Sequence, residues 1–315
     1  MDKKQSAIYG RSTYNDNRYA GMELTSQDFQ QARSIVLKSD LPELTRFMKR
    51  LQFGKDVSDT PAPVRAAAEE LGWIDPDASK LTERGWFAAD CCREYSFWIE
   101  RDRLLPFSNS NLDLLPGTFA GKSVLEIGCG SGVNLMSLSS VTQDLTGLEP
   151  VGIYRQIGTI FSESERVSGL RIVAGQAEDM PFSDARFDVI LCVTAHQYFD
   201  IVRAFREIAR VLKPGGQLII IGGTFKSYVF GSAPSVLNGS LKNARNYLVT
   251  IINTLGYMAI RRRVLVSSSK WSTAYPVYPS RTSMQRFISE AGLRFDAPVI
   301  PVGTETCFRA RKTAI

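Results

Sequence analysis

The chain of 315 residues is long for one compact domain, so its length favours two domains or one domain carrying a large insertion. Hydrophobic residues make up 44% and charged residues 22%, the composition of an ordinary soluble globular protein. The formal charge of +6 permits an acidic partner or a membrane surface, but the basic residues read as scattered and no long basic tail is present. Residues 1–21, MDKKQSAIYGRSTYNDNRYAG, lack the apolar core of a secretory signal. The longest apolar-leaning run, YLVTIINTLGYMAI at 247–260, falls short of the ~20 residues a spanning helix needs. A cytoplasmic protein without a transmembrane segment is therefore expected. The five cysteines include the adjacent pair Cys91 and Cys92, none has metal-ligand spacing, and His196 is the only histidine. No metal site is expected, and the thiols are expected to be reduced.

In chain order, residues 1–25 are polar and read as a flexible or loosely docked arm. LPELTRFMKRLQF places Leu44, Phe47, Met48 and Leu51 at helical spacing. TPAPVRAAAEELGWI follows as a second helix, with Thr60 in position to cap it. A polar turn, DPDAS, leads to KLTERGWFAADCCREYSFWIE. Residues 106–120, PFSNSNLDLLPGTFAG, are rich in Pro, Gly, Ser and Asn and read as a linker. Beyond it strands and helices alternate: SVLEIG and SGVNLMSLSS, DLTGLE and VGIYRQIGTIFSES, LRIVAG, RFDVILCV, DIVRAFREIARVLK, GGQLIIIGG. Ile201, Phe205, Ile208 and Leu212 mark one face of an amphipathic helix. The alternation predicts an α/β fold with a parallel sheet covered on both faces. It pauses over an insertion at 224–280, with a helical stretch near 241–260. It resumes with the helix SRTSMQRFISEAGL and the strands RFDAPVI and ETCFRARK.

The helix ending in ELGWI, the turn and KLTERG resemble the second half of a winged-helix domain, with LGWI and KLTERG as the wing strands. Residues 26–115 are accordingly read as a helical, winged-helix-like domain for dimerisation or pocket closure, and residues 116–315 as the catalytic domain.

VLEIGCGSG closes a strand and opens a helix. Glycines there allow a tight turn and let a ligand approach the backbone. The spacing departs from the dinucleotide fingerprint: Gly128, Gly130 and Gly132 are followed by Val133 where that fingerprint has glycine. Glu126 precedes the turn. It would repel a pyrophosphate and attract an ammonium and a sulfonium, which favours S-adenosylmethionine (SAM) over NAD. Glu149, about 20 residues beyond the turn, ends the second strand, where an acid can accept hydrogen bonds from both ribose hydroxyls.

VLEIGCGSG, LTGLEP, AGQAEDMPFSDARFDVILC and VLKPGGQLII together resemble class I SAM-dependent methyltransferases over about residues 120–222, in the small-molecule branch that includes the ubiquinone/menaquinone enzymes. The resemblance implies a Rossmann-like seven-stranded sheet with an antiparallel last strand, which ETCFRARK can supply. It places Glu126 near the methionine amino group, Gly128, Cys129 and Gly130 along methionine and ribose, and Glu149 on the ribose. Gln176 and Ala177 match the position that contacts adenine, where Asp or Asn is usual and where Glu178 or Asp179 could substitute. It also puts Val193 beside the cofactor.

Methyl transfer from a sulfonium needs positioning and desolvation, and a base only when the acceptor must lose a proton. His196 follows the fourth strand, on the acceptor side of the cofactor by the same resemblance, with Thr194, Gln197 and Tyr198 as neighbours. Three readings stand open: a general base, a lining residue, or a buried structural ring. Trp271, Tyr275 and Tyr278 in the insertion are read as a lid over the acceptor. The expected function is transfer of a methyl group to a small-molecule acceptor, a hydroxyl first. The alternatives are N- or C-methylation, or a winged-helix nucleic-acid-binding protein with a SAM-binding domain. PAPVRAAAEEL is poor in cations, and VTAH stands where many nucleic-acid amino-methylating enzymes have an N-P-P-Y-like tetrad. No nucleic-acid partner is therefore expected, and a homodimer through the N-terminal domain is.

Overall fold

The computed structural model describes residues 23–76, 80–106, 116–237, 241–265, 275–296, 298–302 and 304–314, with the backbone alone at 116, 232–237 and 242. Most of the predicted arm, and Trp271, lie outside the described residues. The end of the arm is docked: Leu24 is 7% exposed, and its main chain exchanges hydrogen bonds of 2.7 and 2.9 Å with the Gln156 side chain.

The N-terminal part is helical, with caps that match the local sequence. Thr25 accepts from the Asp28 N–H ahead of α1 (Ser26–Lys38), and Asp40 from the Glu43 N–H ahead of α2 (Leu41–Gln52). Leu44, Phe47 and Met48 are buried as the spacing predicts. Thr60 does not cap α3 (Ala62–Glu70); Pro61 holds that position and no side chain caps it. Pro63 occupies the second helical position and has no N–H, so a hydroxyl there would lack a usual donor. The wing-like pairing is shorter than expected. β1 (Ile74–Asp75) and β2 (Lys80–Leu81) pair antiparallel, Ile74 opposite Leu81 and Asp75 opposite Lys80. Thr82 then accepts from the Gly85 N–H, so TERG begins the long helix α4 (Glu83–Glu100) instead of extending the strand.

The central sheet contains β3 (Val124–Ile127), β4 (Leu145–Leu148), β5 (Leu170–Val173), β6 (Phe187–Val193), β7 (Leu212–Gly222), β8 (Leu293–Phe295), β9 (Ile300–Val302) and β10 (Glu305–Lys312). Its order is β5-β4-β3-β6-β7-β10-β8, with β9 also pairing with β10. The first five strands are parallel and β10 runs antiparallel to β7, Thr306 opposite Gly222. β3 and β4 are buried at every residue, as strands covered on both faces must be. RFDAPVI does not form one strand. Leu293–Phe295 pairs with the far end of β10, and Ile300–Val302 forms a hairpin with its start.

Helices cover both faces. α5 (Val133–Met136) is one short turn where a longer helix was expected. α6 (Gly152–Ser164) and α7 (Ile201–Val211) follow β4 and β6. α7 buries Ile201, Ala204, Phe205, Ile208 and Val211 against the sheet, roughly 1.5–3 kcal/mol for each large side chain. The insertion holds α8 (Phe225–Leu237), which the periodicity did not reveal, and α9 (Leu241–Ile260); α10 (Arg281–Glu290) returns the chain to the sheet.

One continuous apolar cluster joins Phe47, Trp73 and Tyr95 of the N-terminal part to Ile153, Ile157 and Phe161 of α6. The Tyr95 and Phe161 ring centroids are 4.9 Å apart, and Trp98 Nε1 donates to Ser137 Oγ at 2.8 Å. α4 is thereby fixed against the catalytic sheet.

The ribbon β1–β2 meets α4 closely at Gly85, where an added Cβ would sit 1.8 Å from the Trp73 carbonyl oxygen. Main chain cannot yield as a side chain can. Gly85→Ala should therefore lower unfolding free energy by roughly 2 kcal/mol or more in a denaturant titration. Gly117→Ala, where nothing lies within 4 Å, should leave the midpoint unchanged.

Candidate cofactor and acceptor site

The site is built on the turn after β3. Gly128 (φ 67°) and Gly130 (φ 55°) both occupy the left-handed region that side chains disfavour. A Cβ on Gly128 would lie 2.5 Å from the Ala195 Cβ, whereas Gly130 opens onto free space. The turn is stitched to β4 by the Gly128 and Cys129 N–H groups, which donate to the Leu148 carbonyl at 2.8 and 3.3 Å. Glu149, 5% exposed at the end of β4, accepts from the Gly130 and Val151 N–H groups, each at 3.0 Å. Burial pushes its carboxyl pKa up, and the two N–H donors oppose that shift.

A cleft of about 570 Å³ opens above this turn. Its wall brings together Gly128, Cys129, Gly130, Glu149, Gln176, Ala177, Val193, Thr194 and Tyr198. Glu126 stands behind it. Its Oε1 accepts from Asn134 Nδ2 at 2.7 Å, Oε2 has no hydrogen-bond partner, and burial pushes its pKa up to about 8. Glu178 also lines the cleft, with Oε1 accepting from the Asp200 N–H at 2.6 Å. The sequence reading missed the wall given by α4, namely Asp90, Arg93 and Glu94, together with Tyr154, whose hydroxyl donates to Asp90 Oδ2 at 2.9 Å. The signal was present in AADCCREY, where three charged residues at helical spacing interrupt an apolar helix.

His196 does not line the cleft. Its ring is fully buried, packs against Gly222, and holds Nε2 3.1 Å from the Gly223 carbonyl oxygen; Nδ1 has no partner. Desolvation lowers its pKa to about 4. The cause is local backbone geometry. Thr194 takes φ 51°, rare for a β-branched residue, and its N–H donates to the Ile221 carbonyl at 2.7 Å. The chain turns there, sending Thr194 and Tyr198 to the cleft and the imidazole under β7. Tyr275 and Tyr278 are also absent from the wall. Tyr278 stacks on Tyr228, with ring centroids 4.6 Å apart, and the Tyr275 carbonyl accepts from Arg263 Nε at 3.0 Å. Arg263 Nη2 also donates to the Gln197 and Phe199 carbonyls at 3.1 and 2.9 Å, bracing the cleft loop from behind.

Among the described residues no group of His, Cys, Asp or Glu could hold a metal ion. All five cysteines are buried free thiols whose pKa burial raises, which leaves little reactive thiolate. The residues present fit SAM. A buried carboxyl oxygen without a partner sits behind the turn, Glu149 keeps lone pairs free on the wall, and Gly130 leaves room where a Cβ would intrude.

A sheet in this order, with a glycine turn after its first strand and an acid closing the next, has the Rossmann-like arrangement that the resemblance to class I methyltransferases implies. Residues 125–220 match the family described as a methyltransferase domain, and the chain carries a class I SAM-dependent methyltransferase domain with SAM as its cofactor. The chain is 34% identical over 99 residues to the uncharacterized methyltransferase YcgJ of Bacillus subtilis, covering 31% of this chain and 39% of that one. It is 40% identical over 100 residues to the phthiotriol/phenolphthiotriol dimycocerosates methyltransferase of Mycobacterium tuberculosis, covering 30% and 36%. The match thus spans less than two fifths of the length of these relatives. The crystal structure of YcgJ is similar at 18% identity with a TM-score of 0.43, over 64% of this chain and 97% of that one.

The burial of His196 has a consequence for pH. An unfolded histidine takes up a proton below about pH 6.5, while the folded ring resists it until about pH 4. Its contribution to stability is complete above pH 6.5 and is lost as pH falls toward 4, a loss on the order of 3 kcal/mol. Denaturant titrations of His196→Gln should lack that part of the acid slope.

Proposed function

We propose that this protein is a SAM-dependent methyltransferase acting on a small-molecule acceptor through a hydroxyl oxygen. The observation that carries the reading is the pairing of the Gly130 turn with Glu149 on the wall of a cleft whose other side is the 194–199 loop. Bound SAM supplies a methyl carbon activated on a sulfonium. Glu149 would accept the ribose hydroxyls with the lone pairs that the Gly130 and Val151 N–H groups leave free. Gln176 and Ala177 would meet the adenine, Val193 would flank the cofactor, and Glu126 would attract the methionine ammonium from behind Asn134. Thr194, Tyr198 and Phe199 would orient the acceptor and exclude water.

The position of His196 away from the cleft supports the structural reading of this residue over the general base. The cleft carboxylates are engaged: Asp90 and Glu94 by Arg93, and Glu178 by the Asp200 N–H. This favours an acceptor hydroxyl acidic enough to ionise without an imidazole, of phenolic or enolic character. The N-terminal helices would close the cleft, since α4 supplies part of its wall. Arg65, the cation of PAPVRAAAEEL, is occupied by the Val57 carbonyl and the Phe47 ring, which favours closure over nucleic-acid binding.

Calorimetry should show SAM and its demethylated product binding while NAD does not; tighter NAD binding would overturn the reading. Glu149→Ala should weaken SAM about 100-fold, near 3 kcal/mol, because two charge-assisted ribose contacts go and two N–H donors lose their acceptor. In turnover with a phenolic acceptor, His196→Gln should retain kcat within about threefold. A loss of several hundredfold with SAM affinity intact would restore the ring as a base.

A further inference from the structure

Helix α9 is amphipathic in the wrong sense for a helix whose outer face meets water. Its inward face is polar: Thr250, Asn253, Thr254 and Tyr257 are all buried. Each is satisfied. Thr250 bonds Tyr228, Asn253 pairs with both main-chain groups of Leu265, Thr254 Oγ1 accepts from the Tyr278 N–H, and the Tyr257 hydroxyl donates to Asp200 Oδ1. The outward face is apolar. Leu241, Leu248, Ile252 and Leu255 fall on one side of the helix by their spacing and are 91%, 57%, 45% and 48% exposed. The stripe runs about 21 Å along the axis. Phe230 of α8, Ile260, Val264 and Leu265 are exposed as well, so eight of the twelve exposed large hydrophobic side chains among the described residues lie between 230 and 265. Monomers rarely leave such a surface to water.

The charge of the same region is one-sided. From 208 to 289 the sequence holds eleven Lys and Arg and no Asp or Glu. Removing those eleven from the 38 cations leaves fewer than the 32 acids, so the net charge of +6 belongs to this stretch and is not scattered as the sequence first suggested. Arg245 is exposed and falls beside the stripe by its spacing from Leu241 and Leu248, Lys226 is exposed one turn before Phe230 on α8, and Arg261 is paired with Glu290. No helix among the described residues is long and apolar enough to cross a membrane.

We propose that the outer face of α9 docks on an anionic lipid bilayer, with its leucines in the interfacial layer and Lys226 and Arg245 on the headgroups. An apolar stripe whose own helix carries no acid, with Arg245 exposed beside it, complements that surface in both respects, although Arg210, Lys213 and Arg261 of the stretch are paired with acids outside it. An acidic protein would answer the cations but not a stripe this long. The other side of α9 is tied through Tyr278 and Val277 to Gln197 of the cleft loop, so docking would hold the cleft at a fixed attitude to the bilayer. The proposal goes beyond the methyl-transfer reading, and its test needs no turnover.

The full chain is floated with vesicles of phosphatidylglycerol and phosphatidylcholine, or of phosphatidylcholine alone. Most of the protein should float with the anionic vesicles and at least tenfold less with the neutral ones. Leu248→Asp with Ile252→Asp should cut the floated fraction at least tenfold while SAM binding stays unchanged, and Lys226→Glu with Arg245→Glu should cut it severalfold. The proposal is overturned if the wild type does not float with anionic vesicles, or if the Leu248/Ile252 variant floats as the wild type does. It is also overturned if light scattering finds a wild-type dimer that this variant turns into a monomer, since a second copy would then cover the stripe.

Discussion

A buried carboxylate must be answered by donors, and at Glu149 the donors are two main-chain N–H groups. One belongs to Gly130 in the turn after β3, the other to Val151 at the start of α6. The same acid therefore holds the glycine turn open, closes β4 and sets where α6 begins. With the bonds from Gly128 and Cys129 to Leu148, the turn is tied down at both ends before any ligand arrives. A site fixed this way spends little binding energy on ordering itself.

The rest of the architecture converges on that corner. β3 lies between β4 and β6, so the glycine turn, Glu149 and the 194–199 loop meet at one edge of the sheet. α4 completes the wall although it is distant in sequence. It is held there by the cluster around Tyr95 and Phe161 and by the bond from Tyr154 to Asp90. The N-terminal part is thus continuous with the catalytic core, not an appendage to it.

What could be read from the sequence was what local pattern decides. The mainly apolar strands, the amphipathic α7, the glycine turn and the acid after β4 all announce themselves within about a dozen residues. The side of the wall on which His196 falls does not, because it depends on the left-handed Thr194, which only the register of β6 on β7 enforces. Tyr275 and Tyr278 were misplaced for a similar reason. Aromatic content signals burial but not the neighbour, and Tyr278 found Tyr228 in a helix that the periodicity had not revealed. The short wing strands show the converse: Thr82 served as a helix cap, a role its sequence TERG allowed as readily as a strand.

Arg263 joins pieces of chain that share no secondary structure. Its guanidinium gathers the carbonyls of Gln197, Phe199 and Tyr275 and lies 5.7 Å from the Tyr257 ring centre. The Val277 N–H adds a bond to the Gln197 carbonyl. The insertion and the cleft loop are therefore one cooperative unit. A fluctuation that frees the loop must strip the cation from the Gln197 and Phe199 oxygens and break the Val277 bond as well, so the amide protons of 197–200 and those of Tyr275, Val277 and Tyr278 should exchange with solvent together.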